Sequence, residues 1–180
     1  MTRAAGCAHP PGRRRVGSLE ASRCSTFAAE FCPASNTTVG AGRVGLRISP
    51  AHNVQGVLEP DADDVEATYG ALVDQIAPLG LAYLSILHAE PSGDLVQGLR
   101  ARFGGPVIVN SGFGTITSRD EARSLVDENV TDAVAVGRLA IANPDLVRRW
   151  REDRVLNEID QSTFYSPDAT GYTDYPALLN

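Results

Sequence analysis

From Arg43 onward the apolar positions fall into two alternating rhythms. Val44-Gly45-Leu46-Arg47-Ile48-Ser49 predicts a strand, and residues 50–60 a loop. Residues 61–77 predict a helix with acids in its first turn, where the helix dipole favours them, and Val65, Leu72 and Ile76 on its apolar face beside Tyr69. Gly80 reads as its stop signal. Residues 81–87 form a second apolar run. Residues 93–103 predict a short helix with Leu95, Val96 and Leu99 inward, and residues 106–110 a third strand. Residues 118–128 predict a helix capped by Thr117 or Ser118, with Glu121 as capping-box partner. Residues 133–136 predict a fourth strand. Asn143 is expected to cap a last helix with Pro144 at its first position, running through Trp150.

Continuous apolar strands alternating with amphipathic helices imply a parallel α/β sheet of order βαβαβαβα. Two of the strands stop at glycine, in Val109-Asn110-Ser111-Gly112-Phe113 and in Ala135-Val136-Gly137-Arg138. A buried strand ends this way where the backbone approaches a phosphate closely. Two such ends in succession read as the last two units of a (β/α)8 barrel, whose phosphate site is commonly built after strands seven and eight. A full barrel takes about 250 residues, and the chain has 180. Four units leave two sheet edges and an inner face expected to be apolar and exposed, features that favour association with a second copy or a complementary half.

Composition narrows the picture. An apolar fraction of 43% and a charged fraction of 21% are those of a globular protein. The formal charge of −6 is unevenly spread: residues 1–42 carry five Arg and two acids, while the rest carries 11 Arg and 20 acids. An acidic body argues against nucleic acid as a partner. No apolar run is long enough to span a bilayer. All 16 basic residues are Arg, which excludes a Schiff-base or phosphate-binding lysine within this sequence. Cys7, Cys24 and Cys32 fit no standard zinc spacing, and the cysteine-free body suits a cytoplasmic location. Residues 1–42 show neither period and read as a disordered or non-homologous leader, with 43–180 as the folded unit.

Several separate segments, in order, resemble the Old Yellow Enzyme family of FMN-dependent NADH:flavin oxidoreductases, or ene-reductases. They are Val44 to Pro50, Val109 to Phe113, Val136-Gly137-Arg138 with Asn143-Pro144-Asp145-Leu146, Asn157-Glu158 to Thr163-Phe164-Tyr165, and Gly171 to Pro176. The resemblance covers roughly residues 43–180. It implies a partial TIM (β/α)8 barrel, roughly strands five to eight with their helices, and the C-terminal extension.

The resemblance also implies a cofactor, FMN, with NAD(P)H as electron donor and an enone or related electrophilic alkene as substrate. Arg47 would lie near the pyrimidine edge of the flavin, where a guanidinium stabilises charge developing on reduction; read alone, it would equally suit a carboxylate partner at a sheet end. Gly112 and Phe113 match the first phosphate turn, Gly137 and Arg138 the second, with backbone N–H groups and the Arg138 guanidinium as donors. Ser111 stands where the family often has Gly or Ala. Phe164 and Tyr165 match an aromatic pair near the flavin ring, with Tyr165 over the substrate pocket, and Gln55 is placed beside the substrate. His52 and His88 match no substrate-anchoring pair and are read as structural. The family's first four strands supply the groups that hold the flavin N5 edge and the substrate carbonyl. None can be assigned in this sequence, so the chain is expected to be a truncated member, weakly active or inactive alone. The alternatives are a non-catalytic half-barrel that self-associates or complements another half, and a phosphate-binding module for a different ligand.

Overall fold

A computed structural model describes residues 39–53, 58–112, 114–164 and 168–178. The cysteines, most of the 1–42 segment, and Gln55, Phe113 and Tyr165 lie outside the described residues. After a 3-10 turn at Ala41–Arg43, the elements are β1 (Gly45–Ile48), α1 (Ala62–Ile76), β2 (Tyr83–Leu87), α2 (Asp94–Phe103), β3 (Val107–Asn110), α3 (Arg119–Asp127), β4 (Ala133–Val134), α4 (Arg138–Ala142) and α5 (Leu146–Arg151). The four strands are parallel and lie in chain order, β1-β2-β3-β4. Leu46 is level with Leu84, Leu84 with Val107, Ile86 with Val109, and Val109 with Val134.

This register puts one row of apolar side chains against the helices. Ile48, Leu84, Ile86, Val107 and Val109 form a single core with Leu72, Val73 and Ile76 of α1, Val96, Leu99 and Phe103 of α2, and Leu125 of α3. Leu84 and Ile86 are fully buried, worth about 2 kcal/mol each in water-excluded area. The alternate positions face the other way. There Arg47, Ser85, Ile108 and Ala133 lie level across the sheet. It mixes Arg47, Ser85 and Asn110 with Tyr83, Leu87 and Ile108, so it is less apolar than expected, although Leu87 at the end of β2 is buried.

Among the described residues, side-chain caps start two of the five α-helices. Asp61 accepts from the Asp63 and Asp64 N–H groups and starts α1. Gly80 ends the following 3-10 turn in the left-handed region, φ 67°, which a side chain would disfavour. Ser118 and Glu121 form the predicted capping box of α3. Two expectations fail near the end of the chain. Residues 138–142 form an unforeseen helix, and Asn143 ends it instead of capping the next one. The Asn143 amide is committed elsewhere: Nδ2 donates to Leu139 O at 2.9 Å, and Oδ1 accepts the Asn157 N–H at 2.8 Å. The ring of Pro144 holds Asn143 extended, φ −133° and ψ 89°, so α5 starts only at Leu146, flanked by Asp145.

The segment after α5 is fastened to it by one buried guanidinium. Arg149 donates to Asp145 Oδ1 at 2.6 Å, to Val155 O at 2.6 Å and to Pro176 O at 2.9 Å. Asp145 Oδ2 accepts the Leu178 N–H at 2.7 Å. Asn157 bridges Ala142 O and Pro176 O.

Candidate functional site

A cavity of about 300 Å³ opens at the C-terminal ends of the strands, lined by residues of β1, β2 and β3 and of the segment that follows β4. This is the end at which barrel enzymes carry their chemistry. Strand alternation turns Arg47 of β1 and Ser85 of β2 to the open face, and the ends of β3 and β4 add Asn110, Gly112, Gly137 and Arg138. Arg47 is exposed and makes no hydrogen bond or ion pair among the described residues. Arg138 is half-buried, with Nη1 3.4 Å from Thr115 O. No carboxylate lines the cavity as described. Two guanidiniums line it and no acid is among its described lining residues, a composition that favours an anionic ligand.

The first glycine turn is built to pattern. Gly112 has φ +89°, and a Cβ there would come within 3.9 Å of the Ala89 backbone. Its N–H is not free, however: Asn110 Oδ1 accepts it at 3.1 Å. The same side chain sends Nδ2 to Ala135 O at 2.8 Å. The Ser111 hydroxyl is buried and donates to Glu121, whose other oxygen accepts the Ser118 N–H at 3.4 Å. The serine that departs from Gly or Ala therefore anchors the turn to the first residues of α3. At the second turn, Gly137 N-caps α4 and nothing stands within 4 Å of a Cβ built on it.

Four of the residues singled out from the sequence thus share one cavity: Arg47, Gly112, Gly137 and Arg138. Phe164 does not line it; it is buried after the 3-10 turn Gln161–Thr163. His88 caps its own turn, Nδ1 accepting the Glu90 N–H at 3.0 Å. Ser85, Asn110 and Thr117 were not singled out, although each left a sign. Ser85 and Asn110 are polar interruptions of apolar strands, and Thr117 is a polar residue buried just before α3.

No protein-family model matches the chain. Its sequence is 36% identical over 173 residues to 12-oxophytodienoate reductase 1 of Oryza sativa subsp. japonica, across 90% of this chain and 43% of that protein. It is 34% identical over 171 residues to 12-oxophytodienoate reductase 2 of Arabidopsis thaliana, with the same coverage. Ninety per cent is more than residues 43–180 hold, so the match reaches into the segment before Arg43. The fold superposes on the old yellow enzyme from Trypanosoma cruzi with a TM-score of 0.74 and 36% identity, over 86% of this chain and 40% of that one. Against morphinone reductase in complex with tetrahydroNAD the TM-score is 0.78 at 34% identity, over 93% and 45%. The chain therefore spans less than half the length of each of these four proteins. Among the described residues no helix is long and apolar enough to cross a membrane.

Proposed function

Because the chain belongs to the Old Yellow Enzyme family, as the C-terminal half of its TIM barrel, we propose that its cationic cavity takes FMN. The observation that carries this reading is the pairing of Arg47 and Arg138 in one cavity whose described lining has no acid. The chemistry of the residues suits a flavin mononucleotide. Arg138 and the backbone around the two glycine turns would hold the dianionic phosphate. Gly112, in a conformation that side chains disfavour, lets the chain turn tightly there. Arg47, level with Ser85 on the open face, would sit at the pyrimidine edge and stabilise negative charge. Phe164, Tyr165, Phe113 and Gln55 remain assigned by resemblance to the flavin ring, phosphate turn and substrate side.

When bound, FMN supplies the redox chemistry that carries a hydride equivalent from NAD(P)H to an activated alkene such as an enone. Placing the alkene over the flavin is the protein's task. Among the described residues no group is assigned to the substrate carbonyl, so the reading expects the chain by itself to reduce enones weakly or not at all. A second reading draws on the β1 and β4 edges, which pair with no further strand among the described residues, and on the open sheet face: a non-catalytic half that pairs with itself or with a complementary half. Gel filtration decides it, since a clean monomer argues against self-assembly.

The test is an absorbance scan of the purified chain mixed with FMN and then dialysed. Retained flavin with a shifted visible band is expected, and Arg47→Ala should bind more weakly. Complete loss of colour would overturn the FMN reading. Rapid FMN-dependent enone turnover by the chain alone would overturn its inactivity.

A further inference from the structure

Asn110 has no assigned part in the site, yet it makes the bond that ties the two glycine turns together. The β3–β4 ladder ends at the Val109–Val134 pair, followed by one more rung from the Ala135 N–H to Val109 O at 2.8 Å. The next rung is made by a side chain: Asn110 Nδ2 donates to Ala135 O, two residues before Gly137. Asn110 Oδ1 meanwhile accepts the Gly112 N–H. One planar amide therefore spans both loops, with its donor fixing the second turn and its acceptor the first. A side-chain amide has the donor and acceptor that this bridge needs; an alanine has neither, and a carboxylate lacks the donor.

Resting on the FMN reading, we infer that Asn110 is a positioning residue that sets the gap between the Gly112 and Gly137 turns and thereby the affinity for the phosphate end of the flavin. The Gly112 N–H is spent on Asn110, so its contribution is to hold the turn in shape and not to bind phosphate. The effect of losing Asn110 should accordingly fall on the phosphate and spare the isoalloxazine ring.

The experiment uses the full chain and two probes, FMN and riboflavin, titrated by flavin fluorescence. Asn110→Ala should weaken FMN by roughly tenfold, the effect of losing a hydrogen bond or two, and change riboflavin less than about twofold. Asn110→Asp keeps the acceptor and loses the donor at neutral pH. Its FMN affinity relative to the wild type should recover as the pH falls and the new carboxyl group protonates, because a protonated carboxyl can again donate to Ala135 O. A purely structural role would weaken FMN and riboflavin alike, so the split between the two probes is the deciding readout. In the unliganded wild type the Gly112 amide should exchange slowly with solvent, and faster in Asn110→Ala. Equal FMN affinity in wild type and Asn110→Ala, or equal losses for FMN and riboflavin, would overturn the inference. So would an unprotected Gly112 amide in the wild type, whatever the flavin does. Failure of the wild type to bind FMN while Gly112 is protected would overturn the FMN reading and, with it, the link to affinity.

Discussion

Arg149→Met tests whether one buried cation holds the last part of the chain to the sheet-bearing body. The side chain is only 5% exposed and makes three hydrogen bonds, to Asp145, Val155 and Pro176. Methionine keeps much of the apolar stem, so little packing is lost. What disappears is the set of charge-assisted bonds, each worth roughly 1.5–3 kcal/mol when its partner is left dry. The partners are not all left dry. Pro176 O retains the Asn157 amide, Asp145 retains the Leu178 N–H, and exposed Val155 can take water. The expected loss is therefore about 3 kcal/mol, at the low end for breaking a buried pair. Urea denaturation should show a lower midpoint, and limited proteolysis should cut within residues 155–178 before the body unfolds. A change below about 0.5 kcal/mol, the scale of a surface substitution, with no gain in cleavage, would refute the idea of a latch.

The remaining predictions use the same assays. Asp145 is held below the usual carboxyl range by the Arg149 guanidinium and then by the Leu178 N–H. The stability it adds is present above the unfolded carboxyl pKa of about 3.9 and fades as the pH falls through the lower folded value. The denaturation midpoints of wild type and Asp145→Asn should thus converge on acidification below that pKa; a constant gap would contradict the linkage. Gly112→Ala forces a side chain onto φ +89° and should cost about 1–2 kcal/mol by urea midpoint. Leu84→Ala, at a fully buried position, should cost about 3 kcal/mol, and an effect under 1 kcal/mol would mean the site collapses freely.

The body's units were readable because their local signals agree with their packing. Asp61 before an acidic turn, Val65-Leu72-Ile76 at helical spacing, and Ser118 with Glu121 each point to the same element. The region 138–146 misleads because its signals compete. Asn143-Pro144 is a good helix start by propensity, but tertiary bonds to Leu139 O and the Asn157 N–H claim the asparagine. Such a claim is invisible until residues 14 apart are brought together. The candidate site divides in the same way. Arg47, Gly112, Gly137 and Arg138 announce themselves by residue type at strand ends. Asn110 and Ser85 gain meaning only from register, which a single sequence does not fix.

The same register separates stability from chemistry. Even-numbered residues of β1 and β2 and odd-numbered ones of β3 face α1–α3 and hold the core. The alternate row, Arg47-Ser85-Ile108, faces the open side, and its first two members line the cavity. Arg47 is exposed and unpaired among the described residues, so the fold gains nothing specific from its charge. Arg47→Ala should leave the urea midpoint within the equivalent of about 0.5 kcal/mol. Flavin binding should respond differently, with FMN and riboflavin both weakened, because the pyrimidine edge is common to the two. A loss confined to FMN would move Arg47 to the phosphate end. A large loss of stability would show that the open face is part of the core.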